Sequence, residues 1–480
     1  DGKCDIVWQN SSTQAALAYI MDGLIMKSWT IIYTGGDPSW RVAGMGDYNG
    51  DGYYDIVWRN VSTGQLAVWL MNGTAIISSG VPYAGGDLSL ASTGDTDKAI
   101  LTLSKTGGGS GACSFSEGAN TVYQNIAYSL TATPSAGSRF SGWTLSGNAR
   151  ILSASSSDTK IILYGDSASL TAAFEKAAVP GDFNGDAKAD LLWQNSATAA
   201  AALWLMDGFT RNAGAIVYDG SDPNWEIVGK GDLDGDGKCD IIWRHKTQGT
   251  VIGYLMNGLQ IKGWGTIYNG GDPSWKVAAV GDVNGDGKSD IIWRNSSNGQ
   301  VIIYLMNGCQ MTSYQLIFDS NPDWLPVSSA DFNGDGKWDI LWRNSSNGQV
   351  SLWLMNGFTT LSASIIFDSD KNWVPRQTGD LDGDGKADIV WRNTQTGAVA
   401  GWLMNGASSK QVAFIATPSG TTWDPADCGD YNGDGKSDIC LRDSSDGSVN
   451  MMLMNGLSIS SQQVIFKDNS WRLIGTSSGN

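Results

Sequence analysis

The chain has almost no glutamate. Only Glu117, Glu175 and Glu226 occur among 480 residues, so the acidic excess behind a formal charge of −17 is carried almost wholly by aspartate. A solvated acidic surface uses both residue types; aspartate alone points to short carboxylates held in loops at fixed geometry. The same charge excludes a nucleic-acid binder, which needs a basic face. Histidine is scarcer still. His245 is the single copy, which leaves Ser-His, Cys-His and His-metal chemistry without material and gives His245 a structural or surface role. Six cysteines (Cys4, Cys113, Cys239, Cys309, Cys428 and Cys440) include no C-x-x-C pair, so no zinc ribbon or c-type haem attachment is readable. No apolar run reaches the roughly 18–20 residues that span a bilayer. The chain opens at Asp1 inside a repeat and reads as a processed or trimmed form.

What is present is repetition. Met-Asn/Asp-Gly recurs with its methionine at Met21, Met71, Met206, Met256, Met306, Met355, Met404 and Met454. The interval is about 50 residues, near that of propeller blades, except that roughly 85 further residues intrude between Met71 and Met206. Each copy holds an aspartate loop, a short strand such as Ile291–Asn295, a polar turn, a second strand ending in Met-Asn-Gly, a more variable third strand, a Gly-Asp-Pro-Ser-Trp-like turn and a fourth strand. Four short β runs per period predict a four-stranded blade. The tail Trp471–Gly475 matches Trp40–Gly44, the strand that precedes a loop, and the N-terminus supplies the remainder of such a unit. The sequence therefore predicts an all-β, eight-bladed β-propeller closed by the N- and C-terminal strands in one blade, with a small inserted β domain. Periodic tryptophans at Trp8, Trp58, Trp193, Trp243, Trp293, Trp342 and Trp391 read as wedges between blades. A second set (Trp40, Trp225, Trp275, Trp324, Trp373, Trp423 and Trp471) lies beside turns, where stacking on a sugar is an alternative to packing.

Seven loops follow D-x-[DN]-G-D-[GA]-x-x-D. Side-chain oxygens at positions 1, 3 and 5, the carbonyl at position 7 and the aspartate at position 9 can converge on one hard cation, and an oxygen-only shell on a flexible loop suits Ca²⁺ better than Mg²⁺ or Zn²⁺. The candidate ligands are Asp47, Asn49, Asp51, Tyr53 and Asp55; Asp182, Asn184, Asp186, Lys188 and Asp190; Asp232, Asp234, Asp236, Lys238 and Asp240; Asp282, Asn284, Asp286, Lys288 and Asp290; Asp331, Asn333, Asp335, Lys337 and Asp339; Asp380, Asp382, Asp384, Lys386 and Asp388; and Asp430, Asn432, Asp434, Lys436 and Asp438. No EF-hand is implied, because the glutamate at position 12 is missing and strands flank the loop. Seven Ca²⁺ would take the charge of −17 to about −3. Glycine at position 6 lets the backbone turn through φ > 0, so Ala187 in that place should strain or weaken its loop. An eighth loop keeps only Asp1 and Asp5, with Ser478 and Asn480 as substitutes from the tail, and should be weak or empty.

The segments GDFNGDAKADLLW and GDVNGDGKSDIIWRNSSNGQ resemble FG-GAP/VCBS-type repeats, the calcium-loop propeller repeats of integrin heads and many secreted bacterial proteins. The resemblance implies loops between the first and second strands of each blade that stabilise the fold through calcium. Integrin-type rings have seven blades, and the eight copies here depart from that pattern. The intruding stretch, with YSLTATPSAGSRFSGW and SASLTAAFEK, is similar to small bacterial domains of the InlB B-repeat type, β modules of surface proteins that imply no catalysis. The organisation predicted is propeller over 1–96, inserted domain over 97–178 and propeller again over 179–480, the insertion projecting from one face.

The function predicted is non-enzymatic: a secreted or cell-surface bacterial protein, with a calcium-rigidified propeller used for adhesion, matrix or filament assembly. It binds no nucleic acid and does not span a membrane; homo-oligomers or filaments are compatible with it, and the sequence names no protein or glycan ligand. A lectin with sugar sites between blades and a calcium-dependent polysaccharide lyase are the alternatives. Cys428 and Cys440, flanking one loop, could face each other as a disulfide.

Overall fold

The computed structural model describes residues 5–83, 98–134, 138–176 and 178–475, apart from 11, 14, 23, 24, 125, 155, 156, 320, 369 and 419. Asp1, Cys4, Ser478, Asn480 and the proposed boundary at 96–97 lie outside the described residues. No helix among those residues is long and apolar enough to cross a membrane.

Each repeat makes one antiparallel sheet, so eight copies give eight blade-type sheets. Residues 225–268 illustrate the pattern: Trp225–Gly231, Asp240–His245, Val251–Asn257 and Gln260–Tyr268 pair in sequence order. The aspartate loop forms the turn from the inner strand to the second, as the resemblance implied. Among the described residues, seven of these sheets have four strands, and the first, residues 6–33, has three.

Six sheets close into a circuit. We number these blades from the one containing residues 191–218; the others follow as 225–268, 275–318, 324–367, 373–416 and 423–467. Each adjacent pair shares one hydrophobic core, and the sixth blade shares one with the first through Val449, Met451, Trp193 and Leu191. The expectation that both chain ends share a blade is corrected here. Trp471–Ile474 pairs with the strand Leu191–Asn195 of the first blade, placing Trp471 opposite Asn195 and Ile474 opposite Leu192. The physical reason is local. The insertion separates the first blade from the repeat before it, so its second strand lacks an inner neighbour close in sequence. The C-terminal strand meets that edge in the register used elsewhere, where Trp275 lies opposite Asn295.

The two N-terminal sheets, residues 6–33 and 40–83, share a core of their own built on Ala16, Ile56, Trp58 and Met71. Among the described residues, no other sheet shares this core. Trp8 is 55% exposed, whereas Trp58 and its ring counterparts are at most 2% exposed. Tyr48, at the second position of its loop, is 46% exposed, while Phe183, Leu233, Val283, Phe332, Leu381 and Tyr431 at that position are fully buried.

The insertion folds as a six-stranded sheet around Leu101, Leu103, Leu163, Leu170 and Phe174. Its residues Gly108–Ser110, Thr133 and Ser138 line the same cavity, of about 980 Å³, as Lys230, Asp282, Trp338 and Cys428 of the ring. The insertion therefore lies over the end of the central channel that carries the aspartate loops.

The wedge tryptophans behave as periodicity predicts. Each buried ring packs against an aromatic of the preceding blade's outer strand, for instance Trp293 against Tyr268 at 5.3 Å and Trp193 against Phe466 at 4.5 Å. The turn tryptophans are half-buried, and the Trp225 ring meets His245 edge-on at 5.1 Å. His245 fills a turn position taken by asparagine in other blades: its Nδ1 accepts from the Gln248 amide at 3.2 Å, as Asn295 Oδ1 accepts from Asn298 at 3.3 Å. The expected disulfide does not form, for Cys428 and Cys440 are free thiols. Cys428 lies opposite Ile439 and Cys440 opposite Asp427. That one-residue offset sends the two thiols to opposite sheet faces and into different cores.

Candidate metal centre

The loop sequence builds its own scaffold of backbone hydrogen bonds. In the loop from Asp282, the carboxylate at position 1 accepts from the amides of Gly285 and Gly287, both at 2.7 Å. The Asp286 carboxylate accepts from Lys288 N at 2.9 Å. These contacts wind the chain around the position-1 carboxylate, and the winding needs a left-handed residue at position 6. Gly287 has φ 83° there; Ala187 is forced to φ 67°, a conformation that costs a residue with a Cβ roughly 1–2 kcal/mol.

The aspartate at position 9 is a structural bracket as well as a candidate ligand. Asp290 Oδ2 accepts from Val283 N at 3.1 Å, and its Oδ1 accepts from Met306 N at 2.9 Å. The same pair of bonds recurs at Asp55, Asp190, Asp240, Asp339, Asp388 and Asp438, all fully buried. This explains the Met-Asn/Asp-Gly signature. The methionine amide caps the aspartate, its side chain fills the core, and the glycine amide reaches the neighbouring blade. Gly308 N donates to Leu233 O at 2.8 Å, and the five equivalent bonds of the ring span 2.7–2.9 Å.

A second set of bonds links loop to loop. The position-8 amide of each ring blade donates to the position-1 carbonyl of the blade before it: Cys239 to Asp182, Ser289 to Asp232, Trp338 to Asp282, Ala387 to Asp331, Ser437 to Asp380 and Ala189 to Asp430, at 2.5–2.7 Å. The last bond closes a hoop of six.

The fit to a hard cation rests on charge and donor type. The carboxylates of Asp232, Asp234 and Asp240 offer oxygens within 4.8 Å of one another, and so do those of Asp380, Asp382 and Asp384. Burial, reinforced by neighbouring carboxylates, raises Asp282 and Asp331 to about 7 and Asp240, Asp290 and Asp339 to about 8. Burial disfavours the charged form of these carboxyls, a cost that a bound cation would offset. In every loop one oxygen of the position-5 aspartate meets a polar hydrogen donor. Asn49, Asn184, Asn284, Asn333 and Asn432 donate their Nδ2 at 2.8–3.3 Å. Where position 3 is aspartate instead, a lysine from the outer strand takes over: Lys262 bridges Asp234 and Asp236, and Lys410 bridges Asp382 and Asp384. Lysine at position 7 has no acceptor on its side chain, and Lys238 Nζ donates to Asn257 Oδ1 at 2.7 Å, so only the position-7 carbonyls are candidate ligands. Oxygen-only donors, short carboxylates and tight turns suit Ca²⁺; when bound, the ion would supply positive charge to positions 1, 3, 5 and 9.

Two charged residues escaped the sequence reading because they interrupt the repeat. Lys230 and Asp427 lie on inner strands where other blades carry Val280, Ser329 and Thr378, or Gly229, Ala279 and Ser328. They form an ion pair of 2.8 Å with both side chains 1% exposed. Tyr431 donates its hydroxyl to the same Asp427 oxygen at 2.8 Å. A lone lysine at an otherwise uncharged position was the available signal.

Fold and loops together define a propeller with an acidic loop before the second strand of each ring blade. The chain belongs to the family of FG-GAP-like repeat proteins: that family matches residues 182–243, 232–293, 282–342, 331–391 and 380–441, more than half of the chain, and the FG-GAP repeat matches residues 39–69. Residues 101–178 match the divergent InlB B-repeat domain. No curated protein matches the sequence. Among solved structures, a chain of the nidogen/laminin complex is 14% identical, with 60% of this chain and 96% of that one covered at a TM-score of 0.42. The calcium-binding protein regucalcin from Agrobacterium tumefaciens is 10% identical over 49% and 74%, at 0.32. An auxiliary nutrient binding protein from Bacteroides thetaiotaomicron is 11% identical over 79% and 99%, at 0.33.

Proposed function

We propose that this chain is a calcium-stabilised propeller of the cell surface or extracellular space, acting without catalysis as an adhesion, matrix or filament-assembly module. The seven acidic loops support the calcium part: each gathers carboxylates that a divalent cation would neutralise, and millimolar extracellular calcium fills even modest sites. The outer strands carry the assembly part. Every ring blade presents a large apolar residue on its free edge strand, among them Ile216, Trp264, Tyr314, Ile365, Phe414 and Val464, each at least half exposed. Exposed edges with apolar side chains are contact surfaces for another protein or another copy.

Two measurements test the reading separately. Chelation should lower the melting temperature substantially, since a site held at 100 times its Kd contributes about 2.7 kcal/mol; an unchanged melt in EDTA removes calcium from the account. Sedimentation and electron microscopy of the calcium-loaded protein should reveal assemblies that Trp264→Ser with Phe414→Ser weakens. Monomers at every concentration tried, for both proteins, would remove self-assembly.

A further inference from the structure

The central channel has a second mouth, at the end away from the aspartate loops. It opens into a cavity of about 850 Å³ lined by inner-strand residues such as Glu226–Gly229, Arg376, Asp424–Ala426 and Arg472–Gly475. Among the described residues six cations line it: Arg244, Lys276, Arg376, Arg392, Arg442 and Arg472. Two carboxylates oppose them. Glu226 meets Arg244 at 3.3 Å, and Asp424 meets Arg376 at 3.0 Å and Arg392 at 3.8 Å. The mouth thus holds a surplus of positive charge on a chain of net charge −17. We propose that it binds a compact ligand carrying two or more carboxylate groups.

Position in the repeat argues that this surplus is not a by-product of the fold. The tryptophan-adjacent site of the inner strand carries Leu325 and Val374 in two blades but Lys276 and Arg472 in two others. Arg376 stands where other ring blades carry Val228, Ala278, Val327, Ala426 and Ile474. The repeat therefore needs neither Lys276 nor Arg376. The remaining arginines are held in place. Arg244 donates to Pro273 O at 3.0 Å, Arg442 to Trp471 O at 3.0 Å, Arg392 to Trp423 O at 2.7 Å, and Arg472 to Gln194 Oε1 at 2.8 Å. Such anchoring lowers the ordering cost of binding. Burial and the adjacent Arg244 charge hold the Lys276 ammonium below its usual range, as befits a cation short of a counter-ion.

The lining also selects the ligand. Guanidinium forks match planar carboxylates in bidentate geometry, and the cations come from five of the six ring blades, which favours separated negative groups over a single ion. The volume suits a small organic molecule. No aromatic ring is among the described residues that line the cavity, and Thr421, Thr422 and Ser444 supply hydroxyls there.

The test is calorimetry on the whole chain at low salt with calcium in fixed excess, using digalacturonate, glutarate, sulfate and neutral cellobiose. Digalacturonate or glutarate should bind, more weakly as salt rises, and at least tenfold more weakly to Lys276→Gln/Arg376→Gln. Lys160→Gln, in the insertion, serves as the control and should bind normally. Tighter binding of digalacturonate identifies an acidic saccharide as the source of the carboxylates, and equal binding identifies a free dicarboxylate. Binding by neither, by sulfate alone or by cellobiose equally, or binding that survives the double variant, overturns the proposal. Should the double variant misfold, Lys276→Gln alone gives the same reading through a smaller loss. Failure here leaves the calcium reading untouched, since the melt in EDTA reports on the opposite face.

Discussion

Replacing Lys230 with methionine should be among the most damaging single changes in the ring. Lys230 sits on the inner strand of the second blade and Asp427 on that of the sixth; between them lies the first blade, whose inner strand is the four-residue segment Trp471–Ile474. The ion pair therefore straddles the seam where the ring is closed by its C-terminal strand. With the ammonium gone, the buried Asp427 carboxylate loses this ion pair, while the Tyr431 hydroxyl at 2.8 Å and the Cys428 amide at 3.0 Å still donate to it. An uncompensated charge at this depth costs about 3–5 kcal/mol. Lys230→Met/Asp427→Asn removes both charges while retaining an acceptor for Tyr431, so its cost should fall to about 1 kcal/mol. The cycle thus predicts a coupling of at least ~2 kcal/mol, read from guanidinium unfolding of the calcium-loaded protein. A loss below about 1 kcal/mol for the single variant, or a double variant no better than the sum of the singles, would refute the idea that this pair holds the seam.

Calcium-free protein should lose stability as pH rises. Asp240, Asp290 and Asp339 have folded values near 8 against about 3.9 unfolded, so the folded state holds extra protons between these limits. That contribution is complete below about pH 4 and is lost as pH climbs through 8; a flat or rising melting temperature in EDTA from pH 5 to pH 8 would contradict it. Ala187→Gly should stabilise the protein by about 1 kcal/mol by relieving a left-handed alanine, and calorimetric titration should show a tighter site; an unchanged melt would mean that the strain is relaxed elsewhere. Lys262→Met removes the ammonium that bridges Asp234 and Asp236. The variant should be less stable without calcium yet bind calcium more tightly at that loop, and weaker binding would show that the lysine assists the ion rather than competing with it.

Features shared by every copy were legible in the sequence. Asp282 and its six counterparts, Met306 in its Met-Asn-Gly and Trp293 in its wedge each recur because each blade solves the same packing problem. Features that belong to one blade, or to the closure of the ring, were harder to read. Trp471–Ile474 has the pattern of every inner strand, so its sequence does not say which open edge it meets; the intervening insertion decides that by leaving Leu191–Asn195 without a neighbour. Cys428 and Cys440 looked opposed on spacing alone, but the offset that pairs Pro425 with Leu441 and Asp427 with Cys440 puts them on opposite faces. Lys230 and Asp427 were invisible to a search for what repeats.

The hoop of amide-to-carbonyl bonds joining the six loops has a consequence for how the molecule comes apart. A linear array of repeats frays from its end units, which have one neighbour instead of two. Here each loop has a donor on one side and an acceptor on the other, so no ring blade is terminal and none is a natural starting point for opening. Amide exchange should accordingly be slow and nearly uniform around the six loops and governed by loss of the whole ring. The N-terminal pair, with Trp8 and Tyr48 exposed at its two flanks, should exchange first and on its own.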